Sequence, residues 1–135
     1  MVFSADGLVQ FAKVFTHVFC SGLFSVLIYV GIKTFIRRKR PYDKYRFIKA
    51  LVPPMDKFAF PSGHVMNNLV GALTLSLYVP WMGPWAWIVP ISWGLLRVIL
   101  GVHFPSDIIA GTILGFSVFE LLKYVFAFFW PIFNL

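Results

Sequence analysis

Apolar residues fall into four long runs separated by short polar or proline-rich breaks. The first extends from about Phe11 to Ile32, the second from His64 to Val79, the third from Trp85 to Val102 and the fourth from Ile108 to Phe129. A helix that crosses a bilayer needs roughly 20 apolar residues, within a range of about 17–25. The first and fourth runs meet this. The second and third lie near the lower limit and would span as parts of a compact bundle, with local thinning of the bilayer. Between the second and third runs, Pro80 to Pro84 (PWMGP) predicts a tight turn. Between the third and fourth, Pro105 pushes Phe104 out of helical geometry, and Ser106 or Asp107 can cap the next helix. The pattern predicts an all-α integral membrane bundle of about four transmembrane helices. It forms a single domain over residues 1–135, with a basic interfacial loop between the first two spans.

Four crossings put both chain ends on one side, the far side. Loop 33–60 and the HFPSD turn (His103 to Asp107) then share the opposite, site side. Trp81, Trp85, Trp87 and Trp130 fall at far-side helix ends, while Tyr42, Tyr45, Phe47, Phe58 and Phe60 fall in the site-side loop. Aromatic residues at both interfaces are what an embedded bundle shows. Segment 41–51 reads as a short interfacial arm, with Tyr45, Ile48 and Leu51 near helical spacing.

Composition agrees with a bilayer as solvent. The chain is 59% hydrophobic and 13% charged, against roughly 25% charged in soluble domains. The net charge is +7, and nine of the twelve Lys and Arg lie between Lys33 and Lys57. A basic block beside apolar runs suits phosphates or anionic headgroups. Nucleic acid is the competing partner for such a block, and four spans speak against it. The single cysteine, Cys20, lies in an apolar run and reads as a packing residue. The N-terminus lacks the pattern of a removable signal peptide, so the first run is expected to stay as a span.

Three polar groups would meet on the site side: Lys33-x6-Arg40-Pro41, Pro61-Ser62-Gly63-His64, and Arg97-x5-His103-x3-Asp107. Phosphoryl transfer spreads negative charge over three equatorial oxygens, and fixed cations stabilise it. Lys33, Arg40 and Arg97 can supply three. Ser62-Gly63-His64 opens the second helix, where free backbone N–H groups form an anion site. Gly63 lets the backbone approach a phosphate, and Ser62 can cap the helix or bond a phosphate oxygen. Asp107, four residues after His103, can accept the Nδ1 proton and leave Nε2 free to attack.

This set resembles the type 2 phosphatidic acid phosphatase family, related in fold to vanadium haloperoxidases. Its pattern is KxxxxxxRP, PSGH and SRxxxxxHxxxD. All three motifs occur in order between Lys33 and Asp107, with Leu96 where the family has Ser. The resemblance implies a membrane lipid phosphatase acting on a phosphomonoester or diphosphate such as phosphatidate, phosphatidylglycerophosphate or a prenyl diphosphate. His103 would form a phosphohistidine, His64 would protonate the leaving alkoxide, and Asp107 would orient His103. Lys33, Arg40, Ser62, Gly63 and Arg97 would hold the phosphate. No cofactor and no metal enters this scheme. The implied partners are a phospholipid or prenyl-phosphate substrate and membrane lipids, and a homo-oligomer is compatible with so small a core.

Each residue also has a plainer reading. Lys33 and Arg40 alone would pass as juxtamembrane anchors. Arg97, about 8 Å of helix before the end of the third run, is costly at depth and so points to function. A zinc site from His64, His103 and Asp107 fits by ligand type but lacks a zinc signature. His17 reads as a helix-contact residue and Glu120 with Lys123 as an internal ion pair. Asn67 and Asn68 would either bond across helices or line the pocket. The rival classes are a non-catalytic lipid-binding or assembly subunit and a vanadate-dependent haloperoxidase, the latter opposed by the four spans. The basic loop favours a cytoplasmic site, whereas the resembled family usually carries its site on the outer face of the cell membrane.

Overall fold

The computed structural model describes residues 5–51 and 56–131; residues 52–55 of the basic loop lie outside the described part. Five α-helices account for most of the described chain: α1 (Ala5–Ile36), α2 (Pro41–Lys44), α3 (Gly63–Ser76), α4 (Gly83–Ile99) and α5 (Pro105–Phe129). A 3₁₀ turn, Pro80–Met82, carries the chain from α3 to α4, where the PWMGP break was expected to turn it. At 1.5 Å per residue α1 is about 48 Å long and α5 about 38 Å, against about 21 Å for α3 and 26 Å for α4. Among the described residues, α1 and α5 are the helices long and apolar enough to cross a bilayer by themselves.

The surface is apolar. Leu8, Phe11, Phe15, Phe19, Leu23 and Leu27 are exposed along α1, as are Ile109, Ile113, Phe116, Leu121 and Phe128 along α5. Polar side chains lie inside: His17, Ser21, Ser25 and Thr74 are buried. This reverses the soluble pattern and is what a helix in lipid requires, because apolar side chains lose nothing by facing acyl chains.

Helix α3 is the axis of the bundle. It packs against α1, α4 and α5, whereas no Cα of α1 comes within 8 Å of one in α4 among the described residues. Three flanks of α3 are therefore covered, and the fourth is open between α1 and α4. Close packing on α5 comes from Gly111 and Gly115. A Cβ at Gly111 would lie 2.7 Å from the Ser62 carbonyl oxygen, and one at Gly115 would lie 3.0 Å from that of Met66. Small residues one turn apart let two helix backbones approach in this way.

Two expectations need correction. The arm over 41–51 is helical only through Lys44; Tyr45 is already extended, and the chain then turns. Four residues are too few for a stable amphipathic helix, and Tyr45, Phe47 and Leu51 are exposed. The depth assigned to Arg97 is also too great. Helix α4 ends at Ile99, so Arg97 lies in its last turn. The stop is made by Gly101 at φ 72°. The Gly101 N–H donates to the Val98 carbonyl at 2.9 Å and the Val102 N–H to that of Arg97 at 3.2 Å. A left-handed glycine just past a helix end satisfies the last carbonyls in this way.

Candidate active site

The three polar groups meet at one end of the bundle. Lys33 comes from the last turn of α1 and Arg40 from the connection that follows it. Ser62, Gly63 and His64 come from the start of α3, Arg97 from the end of α4, and His103 and Asp107 from the α4–α5 turn. Short backbone bonds hold these pieces together: the Ser62 N–H donates to the Asp107 carbonyl at 3.0 Å and the Ala59 N–H to that of Arg38 at 2.9 Å.

Arg40 is the hub. It is 1% exposed, and a buried guanidinium needs acceptors on every side. Its Nη1 donates to the Val102 carbonyl at 2.7 Å and lies 3.4 Å from His103 Nε2. Its Nη2 pairs with the Asp56 carboxylate, and its Nε donates to the Asp56 carbonyl at 3.1 Å. The same carboxylate accepts from Lys33 Nζ at 2.6 Å. Partial burial pushes the Asp56 carboxyl up, but the hydrogen bond from Lys33 and the charges of Lys33 and Arg40 outweigh it and hold the group below 3.8.

His103 is 2% exposed and Asp107 fully buried. His103 Nδ1 faces Asp107 Oδ2 at 3.5 Å, an ion-pair distance at which it makes no hydrogen bond. Asp107 has further partners. Its Oδ2 accepts the Phe104 N–H at 2.7 Å, capping α5, and its Oδ1 accepts from Arg38 Nη1 at 2.8 Å. Burial lowers the His103 pKa below 6.5; the Asp107 carboxylate opposes this and the charge of Arg40 reinforces it. His103 is therefore a neutral imidazole at pH 7. Its Nε2 faces the cation Arg40 and its Nδ1 faces a carboxylate.

Arg97 Nη2 lies 2.9 Å from His64 Nδ1 and 3.1 Å from Nε2. His64, Gly63 and Asp56 line one cavity of about 420 Å³, with Tyr29, Asn67 and Asn68. His64 is also within electrostatic reach of His103. Four cations (Lys33, Arg38, Arg40 and Arg97) thus face two carboxylates (Asp56 and Asp107), a surplus of two positive charges. Ser62 Oγ and Arg97 Nε are buried without a hydrogen-bond partner. Unpaired donors beside surplus positive charge suit a small dianion.

Some expectations change in detail. The Ser62 hydroxyl does not cap α3. The close neighbour of Gly63 is Tyr29, whose ring a Cβ at position 63 would meet at 2.9 Å. Leu96 is 41% exposed beside Arg97, so it offers Arg97 no polar support. Among the described residues no cluster of three His, Cys, Asp or Glu could hold a metal ion. Sequence reasoning missed Arg38 and Asp56. Arg38 stacks on the Phe104 ring at 4.3 Å and donates to Ser106 Oγ at 2.8 Å as well as to Asp107. In the non-helical stretch 38–40, Arg38 and Arg40 turn inward and Lys39 outward, a period-two alternation that was available in RRKRP. Asp56 is one of only five acidic residues in the chain, and its place just before PSGH was the available signal.

Known proteins match the chain over the same region. The sequence profile of the PAP2 superfamily matches residues 13–131. An undecaprenyl-diphosphatase of Sulfolobus acidocaldarius is 39% identical over 80 residues, covering 56% of this chain and 37% of that protein. A lipid A 1-phosphatase of Rhizobium etli is 35% identical over 122 residues, covering 84% of this chain and 50% of that protein. In three dimensions, the PAP2-type phosphatidylglycerolphosphate phosphatase of Bacillus subtilis superposes with a TM-score of 0.68 at 27% identity. That match covers 90% of this chain and 59% of the solved one. The chain thus spans about half the length, or less, of the curated relatives it matches.

Proposed function

We propose, from the premise that the chain belongs to the PAP2 superfamily, that it is a membrane-embedded phosphatase for a lipid phosphomonoester or diphosphate. The observation that carries this is the His103 environment: a buried neutral imidazole with Nε2 beside a fixed cation and Nδ1 beside a carboxylate. That arrangement makes a nitrogen nucleophile aimed at an anion.

In the proposed reaction the phosphate lies among Lys33, Arg40 and Arg97, with Ser62 Oγ and the backbone N–H groups at the start of α3 as further donors. The His103 Nε2 lone pair forms a bond to phosphorus as the P–O bond to the lipid breaks. Nδ1 keeps its proton and points it at the Asp107 carboxylate, which stabilises the cationic ring. The departing alkoxide takes a proton from His64. Arg97 has no acceptor capacity, so a His64 nitrogen that accepts from it is unprotonated. A bound phosphate draws Arg97 onto its own oxygens and leaves His64 facing a dianion, which favours the protonated ring. Water then attacks the phosphohistidine with His64 as base, and phosphate and neutral His103 are regenerated.

The bundle is placed across the cell membrane as a multi-pass protein, with α1, α3, α4 and α5 as the spans and the polar end at one interface. Its 14- and 17-residue helices α3 and α4 reach across with their flanking turns and a thinned bilayer. The test is phosphate release in detergent from phosphatidate, phosphatidylglycerophosphate and undecaprenyl diphosphate. Release from at least one, inhibited by vanadate and absent in His103→Ala, supports the reading. A His103→Ala variant with full activity overturns it.

A further inference from the structure

We infer that the cavity beneath His64 is a subsite for a polar leaving group. The lipid released from the phosphate carries a hydrogen-bonding group (an ester, a hydroxyl or a second phosphate) a few bonds beyond the scissile oxygen, and Asn68 binds it. This inference rests on the phosphatase reading and narrows its substrate class.

The geometry begins with α3. His64 is its second residue, and Asn68 lies four residues on, on the same face and about 6 Å further from the polar end. That face looks into the gap between α1 and α4, the flank of α3 that no helix covers. Both side chains line the cavity of about 420 Å³, together with Tyr29 and Asn67. A lipid whose ester oxygen takes its proton from His64 must run its chain along this face, because the bilayer lies in that direction.

The polarity of this path is unusual for a lipid channel. Ser25 Oγ donates to Asn67 Oδ1 at 2.6 Å, which ties Asn67 to α1. Asn68 is exposed and has no hydrogen-bond partner among the described residues. An amide left unbonded in a hydrocarbon environment is costly. A leaving group that is apolar from its first carbon onward leaves Asn68 unsatisfied, whereas one bearing an acceptor at this depth satisfies it. Sites built to bond a polar group discriminate strongly against analogues that lack it.

The experiment measures phosphate release by the full chain in detergent from dioctanoyl phosphatidate, farnesyl diphosphate and decyl phosphate. The wild type should favour one of the first two over decyl phosphate by about tenfold or more in kcat/KM. A lead for phosphatidate marks an ester or hydroxyl as the bound group, and a lead for the diphosphate marks a second phosphate. Asn68→Leu should lower kcat/KM on the favoured substrate about tenfold, mainly through KM, and change decyl phosphate less than about threefold. Asn68→Gln should keep the preference. Equal losses on all three substrates, or a wild type that hydrolyses decyl phosphate as well as the others, would overturn the subsite alone. A wild type that releases phosphate from none of them would overturn the phosphatase reading itself.

Discussion

His17 and His103 are buried to the same 2%, in opposite halves of the bundle. His17 sits in the shaft, with Nδ1 2.8 Å from the Tyr78 hydroxyl and its ring against Phe126 at 4.1 Å. His103 sits at the polar end between Arg40 and Asp107. The surroundings differ in the same way. Charged and amide groups of the shaft pair locally, His17 Nδ1 with Tyr78, Ser25 with Asn67, Lys123 with Glu120 at 2.6 Å, while His17 Nε2, Ser21 Oγ and Thr74 Oγ1 are buried without a hydrogen-bond partner among the described residues. The polar end forms an open network in which cations outnumber carboxylates by two around a cavity. Burial of a polar group is thus no mark of chemistry in this fold. The mark is a surplus of charge of one sign beside an open cavity.

The comparison breaks most sharply on the two histidines. His103→Ala should lower kcat by about 10⁴-fold or more, as loss of a nucleophile does, with the protein still folded. His17→Phe should leave kcat within about threefold and cost roughly 1 kcal/mol of stability for the lost Tyr78 hydrogen bond. Similar activity losses in both variants, on the same phosphate-release assay, would erase the distinction. Next in size is Asp107→Asn. It removes the carboxylate from His103 and the ion pair with Arg38, and should lower kcat about 10³-fold, somewhat less than the roughly 10⁴-fold loss for the orienting carboxylate of a catalytic triad. Arg38→Ala removes the partner of Asp107 Oδ1, together with the contacts to Phe104 and Ser106, and should lower kcat about tenfold.

The acidity of His103 sharpens the same contrast. Attack requires the neutral ring, and burial holds its pKa below 6.5. Activity should therefore persist unchanged as pH falls to 6.5, and the acid limb of kcat/KM for the free enzyme should lie below that value. Stability follows with the matching sign. Below pH 6.5 the unfolded chain binds a proton at His103 that the folded chain resists, so stability rises with pH across the window between the folded value and 6.5 and falls as pH drops through it. A kcat/KM profile whose acid limb lies above pH 7 would show that His103 is not held neutral.

Much of this was legible in the sequence because two signals reinforce each other. The four apolar runs set the number and direction of the helices, and direction alone brings Lys33, His64, Arg97 and His103 to one end. Other features were not legible because they depend on contacts between distant loops. The pairing of Asp56 with Lys33 and Arg40 requires residues 23 and 16 positions apart to meet. The link from Arg38 to Asp107 spans 69 positions. The depth of Arg97 was misread for a local reason: Ile99 to Val102 continues the apolar pattern past the point where Gly101 ends the helix. A glycine in that position was a usable stop signal that hydropathy outvoted. The depleted α1–α4 flank was not visible at all, since periodicity gives the buried face of a helix but not its neighbours.

The smallest expected effect concerns Asp56, where the two halves of the comparison meet. Its carboxylate closes Lys33 and Arg40 into what looks like another shaft-type pair. Yet the Asp56 side chain is 41% exposed while its partners are buried at 6% and 1%, and it lines the cavity that contains His64. A half-exposed ion pair contributes little to stability, about 1 kcal/mol or less. In the proposed reaction, Asp56 occupies with one negative charge two of the three cations that would hold the phosphate. It remains charged at neutral pH because those cations hold its pKa below 3.8. Phosphate and Asp56 therefore compete for the same donors, and the dianion wins by carrying the larger charge. Asp56→Asn removes the competing charge and should tighten vanadate inhibition about three- to tenfold, while slowing phosphate release by a similar factor if departure limits turnover. Weaker vanadate inhibition in that variant would mean that the carboxylate holds Lys33 and Arg40 in place for the substrate. Lys33, Arg40 and Asp56 would then belong with His17 and Tyr78 as structure, and Arg97 would be the one cation of the four that no carboxylate pairs among the described residues.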